Sequence, residues 1–128
     1  MPSTALATFS IELQHGILYV SDAETHSVHG YTSFEQGGVD VEERSLALEV
    51  QDAVDGPVTV EIYSEQPEQL LEFNLYEGTL STPSRSVRIE DADRLIVLTL
   101  PGARASTPVL MMADSLDRPT HLMLVLKL

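Results

Sequence analysis

The sequence predicts an all-β fold, namely a single-domain antiparallel β-sandwich of about eight to ten short strands with little or no helix. Apolar residues recur with a period of two in segment after segment, which is the signature of half-buried strands. Turn residues separate these segments at spacings of about 8–14 residues. No long amphipathic stretch matches the helical period. The 128 residues fit one domain, residues 1–128, with one hydrophobic core.

The clearest alternation lies in the middle of the chain. Apolar side chains occupy every second position in residues 46–51 and again in residues 58–63. The segment between them, "DAVDGP", contains Asp55-Gly56, which is a turn signal, and Pro57, which fits the start of a strand. These two runs are therefore expected to form a hairpin.

Shorter apolar runs separated by turns predict the other strands. Before the middle pair they lie in "ATFSIELQHGILYVSD", which gives two strands, and in "GYTSFEQGGVDVEE", which gives a weaker one. After it they lie in "LEFNLYE", "VRIE", "LIVLTL", "TPVLMMAD" and "THLMLVLK". The last of these is apolar at nearly every position, which indicates a strand that is central in its sheet or covered by a partner.

Charge is the strongest compositional feature. The chain has 7 basic and 20 acidic residues, a formal net charge of −13. Residues 1–84 hold 15 acidic residues and one basic residue, Arg44, whereas residues 85–128 hold 5 acidic and 6 basic residues. Such a field repels phosphate backbones and anionic membranes, and it speeds encounter with a basic protein. We therefore expect no nucleic-acid or membrane partner; the alternative use of the charge is solubility.

The location is expected to be the cytoplasm. The chain has no cysteine, so neither a disulfide nor a thiolate metal site holds the fold. Its first residues, "MPSTALATFSIEL", have no basic region followed by a continuous apolar run, and no stretch approaches the length of a membrane helix.

The best metal candidate is the segment "SDAETHSVHG". Asp22, Glu24, His26 and His29 offer oxygen and nitrogen ligands of the kinds that zinc or manganese accept. A fourth, distant ligand is not identified, although His15 and His121 are candidates. A solvated loop is the favoured interpretation, so no metal and no cofactor is predicted.

Catalytic arrangements are not found. Carboxylate pairs such as Glu61 with Glu72, or Asp40 with Glu42, lack the aromatic platform of a glycosidase in a chain without tryptophan. There is no G-x-S-x-G motif for a nucleophile and no glycine-rich phosphate loop. The protein is therefore not expected to be an enzyme.

An acidic run dominates the first part of the chain. Twelve acidic residues lie between Glu35 and Glu77, opposed only by Arg44. Alternation places Glu49, Glu61 and Glu72 on outward positions, and like charges opposed on one sheet face cost up to about 1 kcal/mol a pair. A shared acidic face would be useful for recognition; the alternative is dispersal over edges and loops. The candidate partner-binding residues are Glu42, Glu43, Glu49, Glu61, Glu65 and Glu72, with Tyr63, Tyr76 and Phe34 as apolar anchors.

The order of segments resembles a known family. The segments "HGILYVSD", an acidic strand pair, "GPVTVEIYSEQPE", "LYEGTLSTPSRSVRIEDADRLIVLTLPG" and "THLMLVLKL" follow one another as in competence protein J, the competence nuclease inhibitor, and related bacterial β-sandwich proteins. The resemblance covers about residues 8–128 and lies in layout and turn placement. One departure is "ARASTPVLMMAD" after "LPG", which lacks the aromatic residue expected there.

The resemblance implies a small acidic protein that binds and silences a basic nuclease or similar toxin, as an inhibitor or immunity protein. An alternative is a structural or assembly module that forms a homodimer or larger complex through its apolar last strand, residues 122–128, with the acids serving solubility. A third interpretation is a small-ligand or metal-binding sandwich that uses His26 and His29.

Overall fold

The computed structural model describes residues 5–13, 15–25, 38–92, 94 and 96–128. Within these ranges the chain forms ten strands and one short 3-10 turn, Ala53–Asp55. The strands are β1 (Ala7–Ile11), β2 (Ile17–Asp22), β3 (Val39–Val41), β4 (Ser45–Glu49), β5 (Val58–Tyr63), β6 (Phe73–Ser81), β7 (Ser86–Asp91), β8 (Val97–Pro101), β9 (Ser106–Ala113) and β10 (His121–Leu126). The predicted all-β fold is confirmed.

The strands form two five-stranded sheets. The first sheet has the order β1-β5-β10-β9-β6, and the second has the order β3-β4-β2-β7-β8. Neighbouring strands are antiparallel except β5 and β10, which are parallel. The sheets pack face to face, as the sandwich prediction requires.

The interior is built from the inward half of each alternating strand. Val60 and Ile62 of β5, Leu124 of β10, and Leu46 and Leu48 of β4 are all 0% exposed. They belong to one cluster that joins the two sheets, which we call the main core. Every second side chain of a strand faces the same way. The apolar residues that recur with a period of two in the sequence therefore point inward and form this core.

The predicted hairpin between residues 46–51 and 58–63 is wrong. The two runs are β4 and β5, and they lie in different sheets. The link between them turns through the 3-10 segment and Gly56, whose φ is 127°, and its backbone bonds to other loops, with Ala53 N–H donating to Leu13 O. The link therefore carries the chain from the second sheet to the first.

The apolar character of β10 has a local explanation. The strand is hydrogen-bonded on one side to β5 and on the other to β9. Its inward residues enter the main core, while the outward Met123 and Val125 are 5% and 1% exposed within a second cluster of the same sheet. A partner molecule is not required to bury this strand.

A loop that we call the crossover loop, residues 64–72, covers the outer face of the first sheet. It joins β5 to β6, which run in the same direction but are separated by β10 and β9. Nine residues at ~3.4 Å each span roughly 30 Å, enough to pass back over the sheet. Leu70 and Leu71 pack there against the satellite cluster, formed by Tyr63, Met112, Met123 and Val125.

Helices contribute little to this architecture. Among the residues that the structure describes, none of the helical segments has the length and apolarity needed to cross a membrane.

Candidate protein-binding site

The predicted acidic residues are distributed over several parts of the molecule. Glu42 and Glu43 occupy the turn between β3 and β4, and Glu49 ends β4 in the second sheet. Glu61 lies in β5 of the first sheet, while Glu65 and Glu72 lie near the two ends of the crossover loop.

The hypothesis that Glu49, Glu61 and Glu72 share one face of a sheet is therefore wrong. Glu49 and Glu61 belong to different sheets, so their outward side chains leave opposite sides of the sandwich. The cross-strand neighbours of Glu61 are Thr8 and Met123, and the neighbour of Glu49 is Ile17. Among the residues that the structure describes, no acid is opposed to these two carboxylates, so the expected repulsion between strands does not arise there.

Glu42 and Glu43 line a surface depression of about 650 Å³ that we call the acidic cleft. Its other lining residues are Asp22, Glu24, Thr25, Arg44, Pro83 and Ser84. It lies where the ends of β2, the β3–β4 turn and the β6–β7 turn meet. Because Arg44 is among its lining residues, a positive charge already stands beside the carboxylates.

Asp22 serves a structural role in that cleft. Its Oδ1 accepts from the Ser84 hydroxyl at 2.6 Å and from the Ser84 N–H at 3.0 Å, and its Oδ2 accepts from Thr25 and from the Glu24 N–H. Burial alone would raise the pKa of Asp22, but these hydrogen bonds outweigh it and the pKa is lowered. The carboxylate thereby fastens β2 to the β6–β7 turn.

A second depression, which we call the crossover groove, lies between the crossover loop and the outer face of the first sheet. Its volume is about 440 Å³. It is lined by Glu61, Tyr63, Pro67, Glu68, Gln69, Leu70, Leu71 and Met123. The lining combines an apolar floor with two carboxylates and contains no arginine or lysine.

Glu61 is held in place at the edge of this groove. Its Oε1 accepts from the Tyr63 hydroxyl at 2.9 Å, and its Oε2 lies 2.5 Å from Nε2 of His121. The hydrogen bond to Glu61, together with burial and the charge of that carboxylate, raises the pKa of Tyr63. Two neighbours thus fix the carboxylate, which is an ingredient of a preorganised binding site.

The outer face of the second sheet carries compensated charges. Glu90 lies 3.2 Å from Nε of Arg88 and 3.0 Å from Nε of Arg94. Arg88 also donates to the carbonyl oxygens of Ala23 and Thr25, each at 2.6 Å. Glu49 lies 3.8 Å from Arg118. Arginines from the second half of the chain therefore offset acids on this side.

The remaining candidates lie apart from the groove. Tyr76 packs against the main core after a bulge in β6. Its hydroxyl end lies over Gly78, where an added Cβ would collide with it. Glu65 lines a separate depression of about 500 Å³ together with Arg104 and Lys127. Phe34 lies outside the described residues.

The metal hypothesis has no support in the described part of the chain. Within it, no group of three or more histidine or acidic side chains is placed to hold an ion. His26 and His29 lie outside the described residues.

Sequence reasoning missed six lining residues of the groove: Pro67, Glu68, Gln69, Leu70, Leu71 and Met123. Two signals pointed to them. The pair Leu70-Leu71 interrupts an otherwise polar segment, and β10 is apolar at outward positions, which indicates that something covers that face.

Comparison with known proteins gives one structural likeness. No protein-family model matches the sequence, and no curated protein matches it. The fold superposes on the crystal structure of ComJ, inhibitor of the DNA degrading activity of NucA, from Bacillus subtilis, with a TM-score of 0.70 and 8% sequence identity. The likeness covers 97% of this chain and 96% of that one. The resemblance in layout seen in the sequence is thus confirmed at the level of the fold.

Proposed function

We propose that the chain acts as a single β-sandwich domain that binds a nuclease in the cytoplasm and inhibits it, without catalysis of its own. The observation that carries this proposal is the fold likeness to ComJ, a nuclease inhibitor, over 97% of the chain. Proteins of one fold differ in function because their surfaces differ. The negative charge of this chain is therefore the second observation that supports an inhibitory role.

The partner that we propose is basic. A formal charge of −13 attracts a cationic protein over long range and repels nucleic acid. Nucleases carry positive surfaces because their substrate is a polyanion, so an acidic inhibitor meets them rapidly. The attraction weakens with salt as the Debye length falls from about 10 Å at 0.1 M to about 3 Å at 1 M.

The test is a titration of purified protein into DNA-degradation assays. NucA is the first probe, followed by each deoxyribonuclease activity separated from cells that produce the protein. We expect at least one activity to fall in proportion to added protein and to vanish near equimolar ratio, with slower onset at high salt. A full tenfold excess that leaves every activity unchanged would overturn the proposal.

Two controls make the assay specific. Fluorescence polarisation with labelled DNA excludes loss of activity through binding of the substrate, because the acidic protein is expected to leave DNA unbound. A heat-unfolded sample tests whether a polyanion alone suffices, since an unfolded chain keeps the charge and loses the surface.

A further inference from the structure

We infer that the crossover groove binds an arginine side chain of the basic partner. This inference rests on the proposed function, because it names the part of the surface that the nuclease would contact. It assigns the contact to the first sheet and not to the acidic cleft.

The floor of the groove suits the carbon stem of a long cationic side chain. Tyr63 and Met123 are 9% and 5% exposed, and Leu71 packs against them from the crossover loop. Long cationic side chains bury their methylene stems on such apolar surfaces while the charged head stays near polar groups.

The rim supplies the opposite charge from two different elements. Glu61 comes from β5, and Glu68 is an exposed residue of the crossover loop. Residues 57–78 contain five acidic residues and no arginine or lysine, so this segment provides no cation of its own to fill the groove.

The Glu61 carboxylate can still accept further hydrogen bonds. Tyr63 and His121 each engage one of its oxygens, and every carboxylate oxygen has a second lone-pair site. Because its orientation is already fixed, the Glu61 side chain loses little rotamer freedom when a guest pairs with it. A planar guanidinium also stacks on a tyrosine ring, which favours arginine over lysine.

The acidic cleft is a weaker candidate for the same guest. The carboxylate of Asp22 is committed to Ser84, Thr25 and the backbone of Glu24. Arg44 lines the cleft and would repel an incoming cation.

Binding can be observed directly with methionine-methyl NMR. Met123 lines the groove and Met111 lies in the main core, so the second methyl group serves as an internal reference. The probe is a short capped peptide with one arginine between two leucines, compared with the same peptide carrying citrulline, the neutral isostere.

We expect the arginine peptide to shift the Met123 methyl resonance saturably at about 1 mM, and the citrulline peptide to bind roughly fivefold more weakly. Glu68→Lys should abolish the shift. Asp55→Lys makes the same charge change at an exposed position outside the groove lining and should preserve the shift. An unmoved Met123 signal, or equal response to both peptides, would overturn the assignment.

The nuclease assay separates this inference from the proposed function. If the wild-type protein inhibits a nuclease and Glu68→Lys inhibits it equally well, the groove assignment is wrong while the function stands. If the wild-type protein inhibits none, the function is wrong, and the peptide titration alone decides whether the groove accepts arginine. A loss of inhibition of about tenfold or more in Glu68→Lys, with less than about twofold in Asp55→Lys, supports both.

Discussion

On the outer face of the second sheet, Glu90 lies between Arg88 and Arg94, while on the outer face of the first sheet Glu61 is held by a tyrosine and a histidine. Residues 85–101, which form β7 and β8, contain three acidic and three basic residues. Residues 57–78, which form β5, the crossover loop and most of β6, contain five acidic residues and no arginine or lysine.

The two sheets differ in whether their acidic side chains are paired with arginines of the same chain. The second sheet uses its charges to fasten neighbouring segments, since Arg88 reaches the carbonyl oxygens that follow β2. The first sheet places the carboxylates of Glu61 and Glu68 at the rim of a groove with an apolar floor. An apolar centre with a polar rim is also the arrangement found in many protein interfaces.

The largest expected effect distinguishes the main core from the satellite cluster. Leu124 and Met123 are adjacent in β10, one facing the main core at 0% exposure and one facing the crossover loop at 5%. We expect Leu124→Ala to lower the free energy of unfolding by about 2–5 kcal/mol. Met123→Ala should cost less than about 2 kcal/mol, because the crossover loop can settle into the space. Urea unfolding of both variants measures this; equal losses would show that the loop is as firmly packed as the core.

The next effect tests the compensated charges of the second sheet. The Arg88 and Glu90 side chains are 12% and 15% exposed, so the pair is largely shielded from water. Arg88→Met should destabilise the fold by about 2–3 kcal/mol, because Glu90 loses a partner and two carbonyl oxygens lose a charged donor.

The matched change on the first sheet is Glu68→Lys. Its exposed side chain makes a stability change within about 0.5 kcal/mol the expected result. The proposed roles are that charges of the second sheet stabilise the fold and that those of the first sheet are available for binding. A large loss of thermal stability in Glu68→Lys, with none in Arg88→Met, would contradict them.

A pH-dependent effect is expected at Asp22. Its pKa is lowered in the folded state, so its stabilisation is present above the unfolded value of about 3.9 and is lost as the pH falls through the folded pKa. Asp22→Asn should cost about 1–3 kcal/mol at pH 7, and the difference from wild type should shrink below about pH 4. Unfolding curves over this range test it, with exposed Glu12→Gln as the control. A constant difference across the range would contradict the role of the Asp22 charge.

The smallest effect compares a tyrosine on each face. The pKa of Tyr63 is raised chiefly by its hydrogen bond to Glu61, whereas the pKa of Tyr19 in β2 is raised first by burial and then by the charge of Glu90. Glu61→Gln should therefore lower the pKa of Tyr63 toward 10 and leave that of Tyr19 raised. NMR titration of the ring carbons measures both pKa values. A lower pKa at Tyr19 alone would contradict the assignment.

Much of the fold could be predicted from alternation, but strand partners could not. A period of two shows that Val58, Val60 and Ile62 share one side of a strand, yet it carries no information about which strand lies beside it. For this reason alternation and the Asp55-Gly56 turn signal predict a hairpin of β4 and β5, although the chain passes between sheets at Gly56.

The site was harder to predict for a related reason. Leu70 and Leu71 lie in a segment without strand periodicity, and their role appears only once β5 and β6 are seen on different sides of β10 and β9. Similarly, the pairing of Glu90 with Arg94 is local in sequence, but the reach of Arg88 to Thr25 depends on β7 lying beside β2.

Amide hydrogen exchange of the protein in complex with the nuclease it inhibits is the most direct test of partner binding at the crossover groove. If the partner binds at the groove, exchange slows in residues 64–72 and changes little in β7, β8 and the turn at residues 42–44. Protection confined to the second sheet or to the acidic cleft, with residues 64–72 exchanging as in the free protein, would contradict it.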